Sequence, residues 1–105
     1  MDAEFRLKAI IANGARIVWE VPHARARALE RHISVFEAER VIRGANVTEE
    51  TVENGRERWQ VSGLDTDLRS LDVVVSPAED GRVIRVITLM RPEARRGSVP
   101  FDPSL

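Results

Sequence analysis

TVENGRERWQVSG, residues 51–63, decides how the second half of the chain folds. Asn54-Gly55 is the strongest hairpin signal in the sequence, because both residues tolerate the left-handed backbone that a two-residue turn requires. The pair joins an extended run over roughly 46–53 to a second over 56–62. With that turn, Glu53 opposes Arg56 and Thr51 opposes Arg58. Side chains alternate along a strand, so Trp59, Val61 and Val52 share one face, and Trp59 and Val61 belong to the core. Arg58, Gln60, Ser62, Thr51 and Glu49 share the other, polar face.

Downstream of the hairpin, RSLDVVVS (69–76) predicts another strand and Pro77 to Gly81 a turn. RVIRVITL (82–89) is apolar on both parities and therefore reads as a central strand. Upstream, the period becomes helical. Asp2 caps a helix over 2–13 with Leu7, Ile10 and Ile11 on one side, and Asn13-Gly14 stops it. RIVWEV (16–21) is a short strand. Pro22 opens a helix that reaches Arg31 or His32, with Ala24, Ala28 and Leu29 available to the core. Ser34 and Glu37 form the capping box of the next helix. Its Val35, Ala38, Val41 and Ile42 face inward, and Gly44 ends it. The expected fold class is α+β, with helices packed on one face of a mainly antiparallel sheet of four to five strands. One domain spans 1–92, and the tail 93–105, with Gly97, Pro100 and Pro103, reads as flexible.

A length of 105 residues fits one small domain. The absence of cysteine excludes disulfides and thiolate chemistry. Two histidines make a poor basis for a zinc site, and there is no glycine-rich nucleotide loop or nucleophile elbow. No metal and no cofactor are expected. Asp2 and Glu4 precede any apolar run, unlike a signal peptide, and the apolar runs are too short to span a bilayer. A cytoplasmic protein without membrane contact is the expectation. The formal charge of −1 conceals an acidic middle, with nine acidic against three basic side chains between residues 46 and 80. Of the 16 cations only Lys8 is lysine. Arginine is the better planar fork for phosphate, although GC-rich coding produces the same bias. The sequence pI of about 6.1 is low for a free nucleic-acid binder.

His23, Arg27 and Arg31 recur every fourth residue and share one helix face. His23 stands in the first turn, where backbone amides favour anions. The alternative is a solvated face with an incidental histidine. His32 reads as a charge partner for the helix C-terminus. Arg85 interrupts an apolar strand and shares its parity with Val83, Ile87 and Leu89. A guanidinium there needs an acceptor, either a carboxylate such as Asp72 or Glu49, or a bound anion. Cleavage of RNA by its own 2′-hydroxyl needs phosphorane charge neutralised and protons moved, and requires no metal. Arg58, Arg69, Arg85 and Arg91 with His23 have the chemistry for those tasks.

HARARALERHISVFEAERVIRG (23–44) resembles the opening of a widespread uncharacterised bacterial domain, with His-Ala, a spaced arginine, Arg-x-Ile-Ser, an acidic helix and then Gly. RERWQVSG (56–63), RSLDVVVS (69–76) and RVIRVITLMRP (82–92) resemble its strand half. The match covers about 16–92, and the order and spacing of these degenerate motifs carry it. The domain is similar to the RelE/ParE-like toxin superfamily, especially BrnT-type toxins, small α+β ribonucleases neutralised by a DNA-binding antitoxin. The resemblance implies a type II toxin that cleaves RNA, free or on the ribosome, and inhibits translation, with a cognate antitoxin as partner. It matches Arg58, Arg85, Arg91 and His23 to family positions; Arg27, Arg31 and Arg69 are expected as phosphate contacts from their spacing and charge alone. Two departures stand out. Asp67-Leu68-Arg69 replaces the usual Asp-Gly-Arg, and the basic C-terminal helix is reduced to Arg91, Arg95 and Arg96. A non-catalytic module that binds a protein or forms a homodimer through a sheet edge is the other expectation.

Overall fold

The computed structural model describes residues 2–20 and 22–92. The proposed tail, 93–105, lies outside the described residues. Three helices, α1 (Ala3–Ala12), α2 (His23–Glu30) and α3 (Val35–Gly44), accompany five strands, β1 (Arg16–Trp19), β2 (Val47–Glu53), β3 (Arg56–Leu64), β4 (Ser70–Pro77) and β5 (Val83–Met90). The sheet order is β1-β5-β4-β3-β2. All neighbours are antiparallel except β1, which joins β5 in parallel. The fold is α+β with a mixed sheet, as the alternation of patterns predicts.

The Asn54-Gly55 turn forms as read, with φ of 54° and 78°, and pairs Glu53 with Arg56 and Thr51 with Arg58. That register carries Trp59 and Val61 onto Val75 and Val73 of β4. Those two residues meet Val86 and Leu89 of β5. Together with Leu71 and Ile84 they form one apolar face, and each is fully or almost fully buried. A bulge re-phases β5: Val74 pairs with Thr88, but Val75 pairs with Val86, so Ile87 has no partner. This extra residue sets Leu89 on the core side with Val86 and Ile84, and corrects the simple alternation that grouped Leu89 with Arg85.

All three helices cover this one face. Ala24 and Ala28 bury against β5 and let α2 approach closely. Leu29, expected in the core, is 80% exposed, because the helix turns it away from the Ala24–Ala28 side. The end of α2 departs from the sequence reading as well. His32 adopts a left-handed backbone, its amide bonds to the Leu29 carbonyl, and the Ile33 amide bonds to the Ala28 carbonyl. This is the Schellman closure, with histidine where glycine is usual. It buries Ile33 and reverses the chain into α3.

Ser34 caps α3 through the Glu37 amide at 3.2 Å, but the capping box is only half made. The Glu37 carboxylate instead receives the amide and hydroxyl of Thr66, at 2.9 and 2.7 Å. Gly44 remains helical, and Ala45 takes the left-handed position after it. Helix α1 starts on Asp2, which accepts the Phe5 amide at 2.7 Å. It is held to the sheet by Arg6, which makes paired bonds of 2.6 and 2.8 Å to Glu57 and lies over the Trp59 ring. Arg6 holds the Glu57 carboxyl below its ordinary range.

Gly63 of β3 lies directly under Val41 of α3. A Cβ there would lie 3.2 Å from a Val41 methyl. Gly63→Val should therefore lower stability by about 1–3 kcal/mol through overpacking. Val41→Ala should relieve part of that loss in the double variant. Urea denaturation of the four proteins checks this, and strictly additive losses would contradict it.

Candidate functional site

Among the described residues, helices cover one face of the sheet and leave the other open. Backbone register fixes what that open face displays. Thr51 lies beside Arg58, Ser76 beside Arg85, and Arg85 beside Val18. The Trp59–Val75 register, carried one residue on, places Arg58 next to Ser76. The result is a transverse row Thr51–Arg58–Ser76–Arg85–Val18. One row nearer the hairpin turn, Glu53 pairs with Arg56 and Arg16 with Val83. Ala78, whose amide bonds to the Val83 carbonyl, closes that row.

Four arginines therefore occupy two adjacent rows: Arg56 and Arg58 on β3, Arg85 on β5 and Arg16 on β1. Strands lie about 4.8 Å apart, so the band spans roughly 14 Å from β3 to β1. The strand between the β3 and β5 arginines contributes only the small side chains of Ser76 and Ala78. Arg16, Arg56 and Arg85 are exposed and form no ion pair among the described residues. Arg58 is half-buried. Its Nε lies 3.5 Å from the Glu53 carboxylate and has no hydrogen-bond partner. A buried guanidinium N–H without an acceptor is costly, and an anion above the row would supply one.

A shallow cavity of about 260 Å³ continues from Arg58 along the open face, lined by Glu49, Thr51, Glu53, Gln60, Val74 and Thr88. Arg85 and Arg56 line a second depression of about 670 Å³ at the hairpin end of the sheet. Arg58, Gln60, Ser62, Thr51 and Glu49 thus share the open face, as the hairpin register predicts. Of the two alternatives for Arg85, the ion pair with Asp72 or Glu49 does not form among the described residues. Asp72 pairs in register with Ser62 and Met90, at the far end of the face, and accepts a bond from Gln60 at 3.4 Å. Glu49 lies on β2, three strands from Arg85.

The other candidates lie elsewhere. His23 and Arg27 belong to α2 and Arg31 caps its C-terminus, in the helix layer behind the sheet. His23 is exposed, Arg27 lies 3.8 Å from Glu30, and Arg31 donates to the Leu89 carbonyl at 3.0 Å. Arg69 and Arg91 converge instead on Asp65, at 3.6 and 2.9 Å. Asp65 is buried and accepts the amides of Asp67 and Arg69, and Arg91 also donates to the Ser70 carbonyl. This knot replaces the missing glycine of the β3–β4 turn: the Asp65 carboxylate holds the backbone where Leu68 takes φ of 63°. The structure thus brings Arg58 and Arg85 together, and leaves His23, Arg27, Arg31, Arg69 and Arg91 apart from them. It adds Arg16 and Arg56. Arg56 was legible from the hairpin parity. Arg16 depended on the parallel pairing of β1 with β5, which no local pattern announces.

Among the described residues no group of three or more histidine, cysteine, aspartate or glutamate side chains is arranged to hold a metal ion. None of the described helices is long and apolar enough to cross a membrane. A family model described as a domain of unknown function, DUF4258, matches residues 22–91. No curated protein matches the chain.

The Asp65 knot has a pH signature. The Arg69 and Asp67 amides and the Arg91 guanidinium hold its carboxyl below the ordinary aspartate range, against the opposing effect of burial. A carboxyl depressed by folding stabilises the native state fully above its unfolded pKa and loses that contribution as pH falls through the folded value. Asp65→Asn should therefore be less stable than the parent at pH 7. The gap should narrow on acidification below the ordinary aspartate range. Thermal melts across that interval check it, and a gap that stays constant with pH would contradict it.

Proposed function

The chain belongs to the DUF4258 family, and we propose that its open sheet face binds the phosphate backbone of single-stranded RNA. The arginine band carries this reading: Arg16, Arg56, Arg58 and Arg85 lie in two adjacent rows over a floor of small side chains. Guanidinium groups match phosphate oxygens in pairs, and a 14 Å band can contact more than one phosphate. The low overall pI is compatible with this, since the cations gather on one face instead of covering the surface.

The resemblance to RelE/ParE-like and BrnT-type toxins extends the proposal to metal-independent cleavage that halts translation. In that reading Arg58 and Arg85 stabilise the pentavalent phosphorane formed when the 2′-hydroxyl attacks. Glu53 and Glu49, the carboxylates at the band's margin, can accept the hydroxyl proton; the P–O5′ bond then breaks to leave a 2′,3′-cyclic phosphate, and the departing 5′-oxygen takes a proton from the protonated carboxyl or from water. His23, in the helix layer, is not part of this arrangement. A protein that binds the toxin and blocks the open face would serve as its antitoxin. The acidic β2 strand at the sheet edge favours a second reading, a non-catalytic module that recruits a protein partner.

Induction of the chain in bacteria tests cleavage. The wild type should arrest growth and bulk translation. The Arg58→Ala/Arg85→Ala variant, shown to be folded, should not, and its RNA cleavage in vitro should fall by about 10²–10³-fold or more. Soluble wild-type protein that neither arrests growth nor cuts RNA would refute the ribonuclease reading.

A further inference from the structure

Among the described residues, strand β2 ends the sheet and pairs with β3 on one side only. It is seven residues long, and every residue after Val47 is exposed. In a two-residue hairpin the residues flanking the turn form a hydrogen-bonded pair, and the pairs alternate from there. Glu53 and Thr51 therefore spend their backbone groups on β3. Val52 and Glu50 point their N–H and C=O outward, where a further strand would bond.

The opposite edge, β1, has only four residues. Such short edges are poor templates for strand addition. Glu49 and Glu53 stand on the open side of β2, four residues apart, and Glu50 stands on its helix side. A second copy of this chain is a poor occupant. Antiparallel self-pairing centred on Thr51 sets Glu49 against Glu53 twice, centring on Glu50 sets that residue against itself, and centring on Val52 overlaps only residues 51–53, because Asn54 and Gly55 leave the strand in the turn. Like charges directly opposite each other destabilise a pair. Val52, 70% exposed, offers an apolar contact on the edge, since Val47 packs against the core.

We propose that β2 is a docking edge for an extended basic segment of a protein partner, which adds as a sixth strand. Its backbone bonds to Val52 and Glu50. Cationic side chains at alternate positions face Glu49 and Glu53, and an apolar residue on its helix side covers Val52. Main-chain bonds supply the attraction and the side-chain pattern supplies the choice of partner. The edge geometry supports this whether or not the open face binds RNA.

The test uses the full chain and fluorescein-labelled heptapeptides followed by anisotropy. The first probe alternates lysine and threonine, the second alternates glutamate and threonine, and the third is the lysine–threonine peptide N-methylated at alternate residues along its bonding edge. The basic probe should bind at least tenfold more tightly than either of the others. Backbone amide signals of Glu50 and Val52 should shift on binding. Val52→Pro removes an outward N–H without breaking a bond to β3, and should weaken the basic probe at least tenfold. If that variant does not fold, the N-methylated probe makes the same distinction. Equal binding of the methylated and unmethylated basic peptides would reduce the effect to bulk charge and overturn the proposal. So would absence of binding, or a β2-mediated dimer of this chain in sedimentation.

Discussion

The register imposed by the Asn54-Gly55 turn is the constraint on which the rest of the structure depends. Side chains alternate along a strand with a period of two, so a slip of one residue would move Trp59 and Val61 into solvent and Arg58 and Gln60 into the core. Trp59 is the largest fully buried side chain among the described residues. Through Val75 and Val86 its position propagates across the sheet, and through Arg6 and Glu57 it fixes α1. The same register, read on the other face, aligns Arg58 with Ser76 and Arg85. Core and candidate site are two sides of one pairing decision.

A sheet covered on one face leaves its other face to solvent or to a ligand. Antiparallel sheets commonly adopt this arrangement, with the open side polar. Here the open side is unevenly polar. Its hairpin end carries the four arginines, and its far end carries Asp72 with Gln60 and Ser62. The acidic residues of the middle segment, which weigh against nucleic-acid binding when counted, divide by location. Glu57 is consumed by Arg6, Asp65 by the β3–β4 turn, and Glu49, Glu50 and Glu53 line the free edge. Position, more than net charge, sets what each can do.

Local signals made most of the fold legible. The hairpin, the caps of α1 and α3, and the alternation of β3 were all written in adjacent residues. Three readings failed for reasons that adjacency cannot reveal. Glu37 left its capping box for Thr66, 29 residues away. Leu29 lies off the Ala24–Ala28 side that α2 turns to the sheet, a choice of face made by tertiary packing. The β5 bulge re-phased Leu89 relative to Arg85. The candidate site was half legible. Strand parity puts Arg58 and Arg85 on the face that the helices leave open. The His23 stripe is a real helix face, but α2 lies in the layer behind the sheet. Arg69 and Arg91 carried the right charge for phosphate, yet Asp65 had already claimed them, an ion pair set by tertiary contact.

The central claim is that the arginine band, and not the α2 stripe, meets phosphate. The most direct measurement is the salt dependence of binding to a short single-stranded RNA with 2′-O-methyl riboses, which cannot be cleaved. Each phosphate contact contributes a slope of about −0.7 in log K against log salt. Four contacts predict about −3 for the parent, and each of Arg16→Ala, Arg56→Ala, Arg58→Ala and Arg85→Ala should reduce the slope by about 0.7. His23→Ala, Arg27→Ala and Arg31→Ala should leave it unchanged. A slope that responds to the α2 substitutions and ignores the four sheet arginines would contradict the account.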